Sequence, residues 1–214
     1  MPSKIDIFNL ALLKLAQDAT IASFVERSKE ARVAARLWEV TRDLVLADQH
    51  WPWAMRAMPL AVAAEPPQPG WRLRYSRPAD CITVVAVTDE AGMRAGRRMA
   101  RWCDDGFRLR HAVQYESAFG DEGTSLLCDL DQAFVVYVAR VEDTERYPPL
   151  FVDALACKLA EEAAPVVIGD RGFTSKPNLK QLYQMALSRA AAHDLNEGQH
   201  DDDGFMPAAQ AARG

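Results

Sequence analysis

Apolar residues in the first fifty positions recur at helical spacing. Ile5, Phe8, Leu12 and Leu15 form one stripe, and Ser3 with Asp6 three residues later supplies an N-cap and an acidic first turn. The pattern breaks at Gln17-Asp18-Ala19-Thr20. A second helix is expected from Ser28 to His50, with Ala31, Ala34, Leu37, Trp38, Thr41, Leu44 and Val45 on one broad face. Lys29, Arg32, Arg36, Glu39 and Arg42 fill the other side as a solvated or subunit-facing surface. The small Ala31, Ala34 and Ala35 let a partner helix approach closely.

The period changes at Trp51-Pro52-Trp53, the stretch that organises the chain. Pro52 disfavours helical geometry at Trp51, so the helix should stop there and the chain leave extended. In an extended segment Trp51 and Trp53 share a face and clamp the helix end to the next part of the chain. Glu65-Pro66-Pro67-Gln68-Pro69-Gly70 is a turn-rich linker. Beyond it Trp71, Leu73 and Tyr75 alternate with Arg72, Arg74 and Ser76, and 81–87 is a β-branched run between turns at 78–80 and 89–92. Met99 to Cys103 and Phe107 to Arg110 flank Asp104-Asp105-Gly106, a hairpin signal. Ser125 to Leu130 and Ala133 to Val141 complete about six strands, with 118–123 between them as a loop.

Helical periodicity returns at Pro148-Pro149. Val152, Leu155, Ala156, Leu159 and Ala163 make a stripe, and Pro165 should end or kink this helix. Residues 168–173 read as a loop. A last helix is expected after Ser175, with Pro177 in its first turn and Leu179, Leu182, Tyr183, Ala186, Ala190 and Leu195 on one side. From Glu197 the pattern dissolves into Gly, Asp, Ala and Pro. The fold class expected is α+β: terminal helices packed as an antiparallel bundle, with an antiparallel β-domain inserted between them. The boundaries expected are 1–56 and 146–196 for the discontinuous bundle, 57–145 for the β-domain, and a flexible tail over 197–214.

Composition narrows the class without naming a function. An apolar fraction of 49% and a charged fraction of 26% are ordinary for a globular domain. No apolar run is long enough to span a bilayer, and the N-terminus lacks a secretory pattern, so no membrane association is expected. Cys81, Cys103, Cys128 and Cys157 form no C-x-x-C pair and read as free thiols. The net charge of −5 is uneven: residues 71–111 hold nine Arg against five Asp or Glu, a local +4 that leaves −9 elsewhere. Such asymmetry marks a surface that meets nucleic acid or an acidic neighbour, or a set of exposed strand arginines.

The sequence points to no catalytic residue, cofactor or metal. The four histidines lie far apart, without H-E-x-x-H or G-x-S-x-G, and 169–172 lacks the Gly-Lys-Ser/Thr ending of a phosphate loop. Asp201-Asp202-Asp203-Gly204 lacks the ligand alternation and closing Glu of a calcium loop. The remaining chemistry is Arg94, Arg97, Arg98 and Arg101 near Trp102 and Phe107, cations mixed with aromatics as in single-strand binders. A subunit seam would look the same.

Trp51-Pro52-Trp53 with Arg56 and Leu60, then Trp71, Tyr75 and Pro78-Ala79-Asp80-Cys81, resembles the pattern of head-to-tail adaptor proteins of short-tailed bacteriophages, the tail tubular protein A group. Tyr147 to Ala156, continuing to Leu159-Ala160, resembles the segment in which that family's aromatic-proline turn opens an Ala- and Leu-rich helix. The resemblance spans roughly 5–195 and leaves 93–101 and the tail unmatched.

It implies a structural protein that forms a twelvefold homo-oligomeric ring between the portal protein and the tail nozzle protein, with genomic DNA passing through the lumen without sequence-specific binding. Its location would be the virion, at the head-tail junction, after assembly in the host cytoplasm. Trp51, Trp53, Trp71 and Tyr75 would be core joints between helices and strands. Asp80 would accept backbone amides in its turn or pair with Arg56. Arg94, Arg97, Arg98 and Arg101 would face a neighbouring subunit or DNA, and Phe205 and Met206 would anchor the tail on the portal. The alternative is a DNA-binding module that uses the Arg-rich β-domain.

Overall fold

The computed structural model describes residues 2–121 and 123–197. Ser3 accepts from the Asp6 amide while the Asp6 carboxylate accepts from the Ser3 amide, a complete capping box that opens α1 (Lys4–Lys14). Ser28 caps α2 (Lys29–Ala47) through the Ala31 amide. The six strands are β1 (Met55–Pro59), β2 (Leu73–Ser76), β3 (Cys81–Thr88), β4 (Glu116–Gly120), β5 (Gly123–Cys128) and β6 (Phe134–Ala139). Between β3 and β4 lie the short α3 (Glu90–Ala95), a 3-10 turn over Met99–Cys103, and α4 (Asp105–His111). The last two helices are α5 (Pro149–Val167) and α6 (Asp170–Glu197).

Two antiparallel sheets form, ordered β1-β6-β3 and β2-β5-β4. Strand β6 shows how they stack. Val136 and Val138 belong to the core shared with the helices, whereas Val135, Tyr137 and Ala139 belong to a second core with Tyr75, Leu126 and Cys128 of the other sheet. Successive side chains of a strand point to opposite faces, so β6 is buried on both sides and reads as an unbroken apolar run. The molecule is thus layered: helices, first sheet, second sheet.

Helix α5 is the hub of the helical layer, packed against α1, α2 and α6. Phe151, Leu155, Ala156, Leu159, Ala160, Ala163 and Ala164 are fully buried, which an Ala- and Leu-rich helix touched on several sides requires. Lys14 ties α1 to Asp153 at 2.8 Å, and Tyr183 of α6 donates to Asp48, just past α2, at 2.5 Å.

Several expectations are corrected. The chain leaves Trp51 in a turn rather than extended: the Ala54 and Met55 amides both donate to the Trp51 carbonyl at 2.9 Å. The Asp104-Asp105-Gly106 segment is no hairpin, because the Asp104 carboxylate accepts from the Gly106 amide and caps α4. The stretch read as a turn over 89–92 starts α3, capped by Asp89. The loop expected over 118–123 is instead the end of β4 and the start of β5, paired Gly120 to Gly123, with Gly123 at φ +103°. Helix α6 starts at Asp170, so the loop expected over 168–173 shrinks to Ile168-Gly169 and Pro177 stands inside the helix. Arg42, expected on a solvated or subunit-facing surface, is only 3% exposed and pairs with Asp43, which also holds Arg140.

Candidate functional site

The joint between helices and first sheet is aromatic. Trp51 is buried, donates its indole N–H to the Val45 carbonyl at 2.9 Å, and meets Phe151 edge-on at 5.1 Å between ring centroids. Trp53 lies 6.4 Å from Trp51 and 4.9 Å from Phe151, with Tyr147 at 5.8 Å. The tight turn at Pro52 therefore still delivers both indoles to one partner, the first turn of α5. Tyr147 donates to the Val141 carbonyl at 2.6 Å, and burial pushes its hydroxyl up to about 12. Tyr75 and Trp71 stand elsewhere. Tyr75 fills the core between the sheets and donates to the Leu130 carbonyl, while half-buried Trp71 donates to the Glu116 carboxylate at 3.0 Å on the second sheet.

Asp80 lies at the turn before β3 and pairs with Arg56 of β1 at 2.6 Å. Its other oxygen accepts from Tyr137 of β6 at 3.0 Å, and its carbonyl accepts from the Arg140 amide. One carboxylate thereby spans all three strands of the first sheet. Burial first, then the Asp80 carboxylate, pushes the Tyr137 hydroxyl up to about 12.

The arginine segment has a different character from the one its composition implies. Trp102 is fully buried, donates to the Gly96 carbonyl at 2.8 Å and packs edge-on against buried Phe107. Neither ring is available to stack on a base. Arg94 is exposed and pairs with Glu90 one turn away, and Arg97 and Arg98 are exposed as well. Arg101 is half-buried and donates to the Ala95 carbonyl at 3.3 Å. Other arginines of the +4 region are engaged inside the chain: Arg72 with Asp131, Arg74 with Glu65, Arg108 with Asp105 and the His50 ring. Burial and then the Arg108 charge lower the His50 pKa. An open cleft of about 510 Å³ runs beside α4, walled by Val85, Leu109, Ala112 and Val113.

The outer faces of two helices carry exposed apolar pairs. Val40 and Leu44 are 69% and 42% exposed on α2, and Leu182 and Met185 are 49% and 62% exposed on α6. Periodicity assigns Leu44 and Leu182 to the apolar faces, and nothing in it singles out Val40 or Met185. Phe205 and Met206 lie outside the described residues. Among the described residues no helix is long and apolar enough to cross a membrane, and no cluster of His, Cys, Asp or Glu could hold a metal ion. No protein-family model matches the chain, and no curated protein is significantly similar to it.

Proposed function

We propose that the chain is a structural head-to-tail adaptor of a short-tailed bacteriophage, forming a twelvefold ring that joins the portal to the tail nozzle and extends the DNA channel. The observation that carries this reading is the pair of outward apolar stripes, Val40 with Leu44 and Leu182 with Met185, on two different helices around one hub. A closed ring joins unlike patches head to tail, so each subunit needs two such faces. Paired apolar residues one helical turn apart form a stripe that water does not favour, unlike single exposed apolar residues, which are common. The order of elements supports the same reading, since helices at both ends of the chain enclose strands as the resembled family does. Arg97 and Arg98 add exposed cations to a subunit that is acidic elsewhere. Phe205 and Met206 serve the portal side in this reading.

The test is assembly of two variants in the presence of the portal protein of the same phage. Val40→Asp with Leu44→Asp, and separately Leu182→Asp with Met185→Asp, place charge on exposed positions and leave the monomer folded. Each is expected to abolish rings on the portal by electron microscopy, and rings from both variants at wild-type concentration would overturn the reading.

A further inference from the structure

Charge is distributed along α2 and α6 in the same order. At the start of α2, Arg27, Lys29, Arg32 and Arg36 stand against Glu30, a net +3. These four cations are exposed, and among the described residues none of them forms an ion pair within the chain. Helical spacing puts Lys29, Arg32 and Arg36 on the stripe that continues into Val40 and Leu44. The other end, 39–48, holds Glu39, Asp43 and Asp48 against Arg42, a net −2. Helix α6 repeats the polarity. Residues 170–180 hold Arg171, Lys176 and Lys180 against Asp170, a net +2, whereas 194–203 hold five acids and no Lys or Arg, a net −5. Three of those acids, Asp201, Asp202 and Asp203, lie outside the described residues. The exposed Leu182 and Met185 stand between the two charged ends.

We infer that a second copy of this chain docks its α6 antiparallel on α2, with the acidic segment 201–203 that follows this α6 on the basic start of α2. Helices packed lengthwise run either parallel or antiparallel. With Val40 and Leu44 against Leu182 and Met185, the parallel arrangement sets positive end on positive end and negative on negative. The antiparallel one sets +3 against −5 and +2 against −2. The lengths agree. Met185 to the helix end at Glu197 is about 18 Å, and Val40 back to Lys29 is about 17 Å. The last turn of the docked α6 therefore stands level with Lys29, and 201–203 follow within reach of Arg27 and Arg32. Exposed Arg189 falls level with Arg36, one turn from exposed Glu39, which offers it a counter-ion. Apolar contact supplies the attraction and charge fixes its direction, since exposed ion pairs contribute little singly but discriminate between orientations. The inference rests on the meeting of the α2 and α6 faces in the proposed ring, and adds the direction and register of that contact.

Cysteine pairs in the full chain read the direction. With Arg36→Cys and Arg189→Cys the two thiols of neighbouring copies stand level only in the antiparallel arrangement, and with Arg36→Cys and Asn178→Cys only in the parallel one. All these positions are exposed. Each variant is treated at high concentration with a short bismaleimide and run on a denaturing gel beside the wild-type chain, whose own cysteines set the background. A ladder of dimers and higher oligomers is expected from the first pair and none above background from the second. Adding Asp201→Lys, Asp202→Lys and Asp203→Lys to the first pair should reduce its ladder roughly tenfold, the order of several exposed ion pairs turned repulsive. Arg27→Glu with Arg32→Glu in that same chain should restore it. A ladder from the second pair instead overturns the inferred direction and leaves the two faces in contact, as the ring requires. Absence of a ladder from both pairs overturns the inference, while the ring on the portal is judged separately by microscopy. A ladder that the three lysines leave unchanged overturns it as well.

Discussion

Asp80 illustrates what single residues contribute. One carboxylate takes a guanidinium from β1 and a hydroxyl from β6, and its backbone carbonyl takes an amide beyond β6. The pairing with Arg56 was one of two readings the sequence allowed; Tyr137 was invisible, because nothing in a run of Val and Ala shows which strand neighbour lies opposite. Trp51 and Trp53 were legible for a simpler reason. Beside the helix-ending proline Trp51 is buried and Trp53 half-buried, both against Phe151, whatever the turn. Arg42 was missed because its helical position predicts a solvated or subunit-facing side chain, and only the fold brings Arg140 to the Asp43 carboxylate that Arg42 shares. The tyrosines give a prediction in pH. Tyr137 and Tyr147 rise from an ordinary 10.0 to about 12 on folding, so folding favours their neutral forms. Their contribution is complete below about pH 10 and lost as pH rises toward 12. Denaturant midpoints of the double variant Tyr137→Phe, Tyr147→Phe should therefore fall less steeply across that window than those of the wild-type chain. Equal slopes would show that neither hydroxyl is linked to folding.

At the scale of elements, α1, α2, α5 and the β2, β3, β5 and β6 strands were readable because each follows one period and has its cap or flanking turn. The segment from Glu90 to His111 was not. Asp104 and Gly106 have the chemistry of a hairpin turn and equally of a helix N-terminus, and the burial of Trp102 and Phe107 against the helical core decided for the helix. Strand β4 was lost because it is an edge with one buried side chain, Ala118, and ends in Gly120. The start of α6 was lost because Gly172 reads as a loop residue. Its actual role is spatial: a Cβ there would press into the Ala164 carbonyl and the Pro165 nitrogen, so the glycine lets α6 turn back tightly onto α5. Helix propensity alone would make Gly172→Ala stabilising by about 1 kcal/mol. The backbone clash outweighs it, and a net loss of roughly 1–3 kcal/mol is expected in chemical denaturation. A more stable Gly172→Ala chain would refute the tight crossing.

At the scale of the molecule, the layers follow from β6. A strand buried on both faces must lie between two other layers: the helical layer, reaching the sheet through α2, closes one side while the β2-β5-β4 sheet closes the other. This arrangement leaves the outer faces of α2 and α6 free to carry Val40, Leu44, Leu182 and Met185, and the proposed ring depends on those faces meeting in neighbouring subunits. The positive region that composition singled out is mostly consumed within the chain, so apolar contact rather than charge would hold the ring together. The decisive measurement for the proposed adaptor role is sedimentation velocity of the purified chain alone and mixed with the portal protein that this role requires, reading size and stoichiometry. An adaptor should give a portal-bound ring with one copy per portal subunit, and failure of the two proteins to associate at any salt concentration would contradict that role.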